Sequence, residues 1–223
     1  MKIALITGIG KGIGKALAEK FLREDYFVIG AYYKVCGLEH KNLKAFELDL
    51  SDPVSVENCS KRIADLHKGI DIFINNAGVL VDEGESKVVV KKLRETLEIN
   101  LIGTIDFTER LLPDVNRGGH IINISSRAGS LELATKLISH FPGRYPSYKI
   151  SKAAINMYTI TLSNRLKDKD IIVSSIHPGR VKTGIGGADA DISPEEAAES
   201  IYKFAVSKPE TGRFWFNGER VPW

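Results

Sequence analysis

Short apolar runs alternate with helical patterns along the whole chain, and this alternation restricts the fold more than any other feature. Strand-like runs lie at 2–7 (KIALIT), 27–32 (FVIGAY), 43–49 (LKAFELD), 70–75 (IDIFIN), 120–125 (HIINIS), 171–176 (IIVSSI) and, weakly, 213–216 (RFWF). Helical patterns fall at about 12–24, 53–66, 88–112, 147–167 and 194–207. Near-continuous apolar strands are the kind buried on both faces, so the expectation is an α/β fold. It would be a doubly wound, mostly parallel seven-stranded sheet with helices on both faces, binding ligands beyond the carboxyl ends of its strands. One link is short: residues 33–43 hardly allow a crossover helix, and a loop or single turn is expected there.

The 223 residues, 43% hydrophobic and 26% charged, suit one domain spanning 1–223, and no linker or repeat divides them. The net charge of +3 comes from 31 basic and 28 acidic residues mixed along the chain, which argues against a nucleic-acid partner. No run approaches the eighteen or so apolar residues of a membrane span. The apolar start breaks at Gly8 and Gly10, as a buried strand would and a signal peptide would not. Cys36 and Cys59 form no Cys-x-x-Cys pair, and a reducing cytoplasm is the expected setting. The histidines show no metal-ligand spacing, so no metal is expected.

The first strand runs into TGIGKGIG (7–14) and then directly into a helix. Gly8, Gly12 and Gly14 let the backbone turn tightly and lie against a pyrophosphate, while the free N–H groups of the helix start favour the anion. The spacing is Gly-x-x-x-Gly-x-Gly. Further motifs follow in order: NNAG at 75–78, Asn100 in LEINLIG, INISS ending at Ser126, YKISK with Tyr148 and Lys152, and HPGRVKT with Pro178, Gly179 and Thr183. Together they resemble the short-chain dehydrogenase/reductase family over nearly the whole chain.

That resemblance implies a Rossmann-type fold and hydride transfer between a nicotinamide cofactor and a carbonyl or alcohol carbon. Gly8, Lys11, Gly12, Ile13 and Gly14 would meet the cofactor at the first turn, and Asn76, Ala77 and Gly78 would line its cleft. Asp49 would bond the adenine amino group, with Leu50 beside it, although Asp52 is equally placed to cap the next helix. Pro178, Gly179, Val181 and Thr183 would surround the nicotinamide, Thr183 binding its carboxamide. An acid normally binds the ribose hydroxyl after the second strand. Here Tyr32, Tyr33 and Lys34 stand there, and Lys11 precedes the second glycine, so NADP(H) is expected over NAD(H).

The implied catalytic set is Asn100, Ser126, Tyr148 and Lys152. Tyr148 would give its proton to the developing alkoxide, its pKa lowered by the Lys152 ammonium, which would also hold the nicotinamide ribose. Ser126, with Ser125 as the neighbouring alternative, would bond the substrate carbonyl; Asn100, within the helix 88–112, would hold a relay water behind Lys152. RYPSYKISK contains a second pair at the same spacing, Tyr145 and Lys149. Pro146 disfavours helical geometry at Tyr145 and suits the first helical position, so Tyr145 should lie outside the helix and only Tyr148 and Lys152 share a face.

Ser126 and Tyr148 are 22 positions apart, longer than in the commonest short members of the family. The extra chain resembles the insertion of the carbonyl reductase and C-factor-like branches. It should place Leu133, Leu137, Ile138, Phe141 and Tyr145 as an apolar wall on the substrate side, facing a small, flexible lid at 184–192. A small carbonyl or alcohol is therefore the expected partner, with a homodimer through the helices at 88–112 and 147–167 possible. Two rivals weigh less: a sugar-nucleotide epimerase or dehydratase usually needs a larger C-terminal domain, and a non-catalytic NADP-sensing protein would not need the whole catalytic set.

Overall fold

The computed structural model describes residues 1–136 and 143–223. All seven expected strands form: β1 (Ile3–Thr7), β2 (Phe27–Tyr32), β3 (Leu43–Glu47), β4 (Ile70–Asn75), β5 (Val115–Ile124), β6 (Ile172–Ile176) and β7 (Arg213–Phe216). An eighth, β8 (Glu219–Val221), corrects the count of seven. Three residues show no periodicity, but Asn217 and Gly218, at φ 49° and 82°, have the two positive φ angles of a tight hairpin turn, which the Asn-Gly dipeptide favours. The strand order is β3-β2-β1-β4-β5-β6-β7-β8, with β8 antiparallel to β7 and the other pairs parallel.

The helices are α1 (Gly12–Arg23), α2 (Pro53–Ala64), α3 (Val90–Leu97), α4 (Thr104–Leu111), α5 (Leu131–Thr135), α6 (Pro146–Arg165) and α7 (Pro194–Ala205). Their starts follow local chemistry: Asp52 caps α2 ahead of Pro53, and Ser193 with Glu196 closes a capping box on α7 around Pro194. As expected, β2 reaches β3 without a helix. The continuous helix expected at 88–112 is instead α3 and α4 joined by a π-helical turn (Glu98–Gly103). Gly103 explains the break, since a Cβ there would lie 1.9 Å from the Leu50 carbonyl oxygen, and Thr104 Oγ1 donates five residues back to Ile99 O at 3.0 Å.

Successive strand residues face opposite sides of the sheet, and both sides are covered. Leu5, Phe73, Ile121 and Val173 pack with Val56, Phe107, Leu111 and Leu162 of α2, α4 and α6. Ile6, Ile74 and Ile122 pack with Leu17, Phe21, Ile201 and Phe204 of α1 and α7. The strand order reverses between β1 and β4, which opens a crevice at their carboxyl ends.

Just beneath that crevice the core turns polar. Asn75, Asn123 and Ser175 stand in register on β4, β5 and β6. Asn75 Nδ2 donates to Asn123 Oδ1 and to Thr108 Oγ1, both at 2.9 Å. Asn123 Nδ2 donates to Thr159 Oγ1 at 2.8 Å, and Thr159 lies 2.8 Å from Ser175 Oγ. The chain thus ties three strands to α4 and α6. Asn123→Ala should lower stability by about 1–3 kcal/mol, because it withdraws a partner from two buried polar groups at once. Urea unfolding checks this: a lower midpoint at an unchanged slope is expected.

Candidate active site

Every motif singled out in the sequence reaches the carboxyl-end edge of the sheet. The turn after β1 passes Gly8 and Gly12 at φ 77° and 56°. A Cβ on Gly14 would lie 2.1 Å from the Gly8 carbonyl oxygen and 2.5 Å from Asn76 Nδ2, so the glycine loop and the loop after β4 touch there. Thr7 locks the same junction: its Oγ1 accepts from the backbone N–H groups of Asn76 and Ala77 at 3.0 Å, and its carbonyl accepts from Asn76 Nδ2 at 2.8 Å. A Cβ on Gly12 would lie 3.2 Å from Thr183 Cγ2, which brings in the loop after β6. α1 starts at Lys11 with no side-chain cap and no acid in its first turn, where Ile13 also lies. Exposed helix N–H groups, a close-packed glycine turn and an exposed lysine fit a phosphate-bearing ligand.

Where the loops after β1 and β2 meet, a Cβ on Gly10 would lie 2.5 Å from the Val35 carbonyl oxygen, so Lys11 and Lys34 flank one junction. Lys34 extends over the exposed Tyr33 ring, 4.7 Å from its centroid, and the Tyr33 hydroxyl raises the lysine pKa. Asp49 Oδ1 accepts from Ser51 N at 2.9 Å and Ser51 Oγ at 2.6 Å, whereas the cap on α2 comes from Asp52. Leu50 is buried, its carbonyl against Gly103.

Asn100 lies in the π-helical turn and is buried. It grips Val79 from both sides, accepting from its N–H at 2.8 Å and donating to its carbonyl at 2.9 Å, and it donates to Ser151 Oγ at 3.1 Å. A Cβ on Gly78 would lie 3.2 Å from Asn100 Oδ1 and 3.8 Å from Lys152 Nζ, so these two side chains share one small space. Ser126 follows β5; its Oγ accepts from Ala128 N at 3.2 Å, and its side chain acts to lower the Tyr148 pKa. Ser125, the neighbouring alternative, is buried and directs its hydroxyl to the Lys152 carbonyl at 3.4 Å. Tyr145 has φ 58° and precedes α6, while Tyr148 and Lys152 lie inside it, as the Pro146 argument expects.

Two residues here escape the sequence reading. Thr7 has no signal beyond its place before Gly8. Gly129 follows Ser126 closely, and its Cβ would lie 2.5 Å from the Lys152 carbonyl carbon, so only glycine lets this loop reach α6. On the substrate side Leu133 is half-buried on α5, while Leu137, Ile138 and Phe141 lie outside the described residues. The C-terminal segment straps this side: Ser130 Oγ donates to Pro222 O at 2.7 Å and Glu132 N to Trp223 O at 2.9 Å. The ends of the lid are joined. Val181 bridges Ile192, Ile192 packs on Gly179 beside Pro178, and Arg180 pairs with Asp189.

The model of the short chain dehydrogenase family matches residues 2–192. The 3-oxoacyl-(acyl-carrier-protein) reductase FabG of Vibrio cholerae is 28% identical over 82% of this chain and 74% of its own. The NADPH-dependent 3-dehydrocapnine reductase of Ornithobacterium rhinotracheale is 30% identical over 84% of this chain and 68% of its own. Among solved structures, the NADPH-bound carbonyl reductase from chicken fatty liver superposes with a TM-score of 0.88 at 25% identity, covering 100% of this chain and 94% of that one.

Burial dominates the electrostatics of the site. It pushes the Tyr148 phenol up to about 12, and the Ser126 hydrogen bond only partly opposes it. It pushes the Lys152 amine down to about 8. The expected lowering of the Tyr148 pKa by Lys152 does not appear in this ligand-free structure: Nζ donates to Ile124 O at 2.7 Å and stands 5.6 Å from the ring centroid, and loss of water dominates the phenol. Between about 8 and the free value of 10.5 the unfolded lysine holds its proton more tightly than the folded one. Its contribution to stability therefore rises with pH across that window and is lost as pH falls through 8. Urea midpoints should show the native protein gaining on Lys152→Met from pH 8 to about 10; a constant difference would count against a depressed lysine.

Proposed function

Because the chain belongs to the short-chain dehydrogenase family, we propose that it is an NADPH-dependent oxidoreductase that reduces an aldehyde or ketone to an alcohol, residues 1–223 forming one catalytic domain. The observation that carries this reading is Ser126 acting on a buried Tyr148 phenol that keeps its proton at neutral pH, with Lys152 one turn along α6 against Gly78 and Asn100.

When bound, the cofactor would supply the hydride to the carbonyl carbon. Ser126 Oγ and the Tyr148 hydroxyl bond the carbonyl oxygen and hold it in place. Tyr148 then gives its proton to that oxygen as it becomes an alkoxide; a phenol titrating near 12 stays loaded for this step throughout the neutral range. Lys152, charged below about 8, favours the resulting phenolate and would hold the nicotinamide ribose hydroxyls of a bound cofactor. Asn100 uses one lone pair of Oδ1 on Val79 N, and the other can hold a water toward Lys152.

NADP(H) is favoured by the lysines at the Gly10–Val35 junction and by the lack of an acid at 32–34. The 3-dehydrocapnine reductase is NADPH-dependent and the chicken carbonyl reductase structure has NADPH bound, which agrees with this preference. Gly8, Gly12, Ile13 and Gly14 would hold the pyrophosphate and Tyr33 with Lys34 the adenosine ribose. Asp49 and Leu50 would meet the adenine, Asn76, Ala77 and Gly78 the cleft wall, and Pro178, Gly179, Val181 and Thr183 the nicotinamide. A cytoplasmic setting suits two free cysteines, of which Cys59 is pushed up to about 12 by burial. Among the described residues no helix is long and apolar enough to cross a membrane. Exposed Val90, Ile102 and Met157 support a homodimer through their helices.

NADPH oxidation with a panel of aldehydes, ketones and quinones tests the activity. Tyr148→Phe should abolish turnover while NADPH still quenches protein fluorescence, and Tyr145→Phe should keep most of kcat. A Tyr148→Phe variant with near-normal kcat would overturn the assignment. Lys11→Ala should raise KM for NADPH more than for NADH, losing roughly 1.5–3 kcal/mol less solvent screening. Equal effects on both cofactors would remove Lys11 from the 2′-phosphate.

A further inference from the structure

The start of α6 has no cap of its own. Tyr145 occupies the N-cap position in the left-handed conformation and makes no side-chain capping bond, and Pro146 has no N–H. The first free amide that needs a partner is Ser147, one residue before Tyr148. Its partner comes from 65 positions away: Ser147 N donates to Asp82 Oδ2 at 2.6 Å. Asp82 is only 1% exposed and forms no ion pair among the described residues, so its partner is the helix start. A second bond, Tyr145 N to Glu85 O at 3.1 Å, ties the same turn to the same segment.

That segment is anchored at its other end in the cofactor cleft. Thr7 holds Asn76 and Ala77, and Asn100 holds both peptide groups of Val79. The stretch from Asn76 to Glu85 therefore runs as one strut from the glycine loop to the turn that carries Tyr148. Asp82 also stands at a cost, since its Oδ1 and the Ser147 hydroxyl are buried with no hydrogen-bond partner in the described structure. A residue kept only for stability gains little from such an arrangement.

We infer that Asp82 is a positioning residue for Tyr148: by capping α6 from the cofactor-side strut it fixes the phenol hydroxyl against Ser126. This rests on the reading of Tyr148 as proton donor. The test compares Asp82→Ala and Asp82→Asn with the unaltered protein, well below their unfolding temperatures. Three quantities are measured: kcat on a carbonyl from the panel, NADPH affinity by fluorescence, and amide hydrogen exchange at 147–149. Asp82→Ala should lower kcat at least tenfold, change NADPH affinity less than twofold, and speed exchange at 147–149 at least tenfold. Asp82→Asn keeps an oxygen that can accept from Ser147 N and should restore kcat and exchange to within threefold.

Unaltered exchange at 147–149 in Asp82→Ala would overturn the inference. So would an Asp82→Asn variant as impaired as Asp82→Ala, or a loss of kcat matched by an equal loss of NADPH affinity. If the unaltered protein turns over none of the panel, the proton-donor reading fails, while the exchange data still decide whether Asp82 holds the turn.

Discussion

The amide chain beneath the crevice is the interaction on which the rest of the site depends. Asn75, Asn123 and Ser175 lie side by side on three parallel strands, and Thr108 and Thr159 reach them from α4 and α6. Apolar contacts alone would let either helix slide along the sheet at modest cost, because one isoleucine resembles the next. A buried hydrogen-bond chain does not permit that, since a slip leaves several desolvated groups unpaired together. A one-residue strand slip would also carry Asn123 to the opposite face. Register is thus set one residue before Asn76 and three before Ser126, and through Thr159 it reaches the helix that carries Tyr148 and Lys152.

Above that layer, burial sets the protonation states. It moves the phenol up and the amine down, each toward its neutral form, and the two lie close enough for the amine to face the aromatic ring. The phenol therefore holds its proton far beyond neutral pH, and the amine is the group that changes first as pH rises. Proton donation in the reductive direction needs no prior ionisation of Tyr148, whereas the reverse reaction must first remove that proton from a desolvated oxygen.

What was legible in the sequence was whatever depends on local chemistry. The glycine turn, the missing crossover helix after β2, the capping box at Ser193 and the exclusion of Tyr145 from α6 all follow from neighbouring residues. The misses depend on distant partners. The π-helical turn adds no break in apolar pattern; its causes are Val79 gripping Asn100 and the Leu50 carbonyl against Gly103. The lid was read from its glycines, but Arg180, Asp189 and the Val181–Ile192 bridge decide how it is held. The Tyr148 pKa was argued from its neighbour four residues on, and burial, which periodicity does not measure, reversed the sign. The strand β8 is the exception, since its Asn-Gly turn stood in plain view.

The site also gains its geometry from side chains that are absent. At Gly14 the loops after β1 and β4 meet, at Gly12 the first loop meets Thr183, at Gly78 the cleft wall meets Asn100 and Lys152, and at Gly129 the Ser126 loop meets the backbone of α6. In each place a Cβ would fall close to another loop or helix, within 2.5 Å at Gly14, where it meets Asn76 Nδ2, and within 2.5 Å at Gly129. Real Cβ contacts do not come that near, so a methyl group at either position forces two segments of the candidate site apart. Displacements of that size are comparable with the 1 Å misplacement that can cost about a hundredfold in rate. These glycines therefore act on turnover through distance, and their effect should exceed what the loss of folding stability alone would cause.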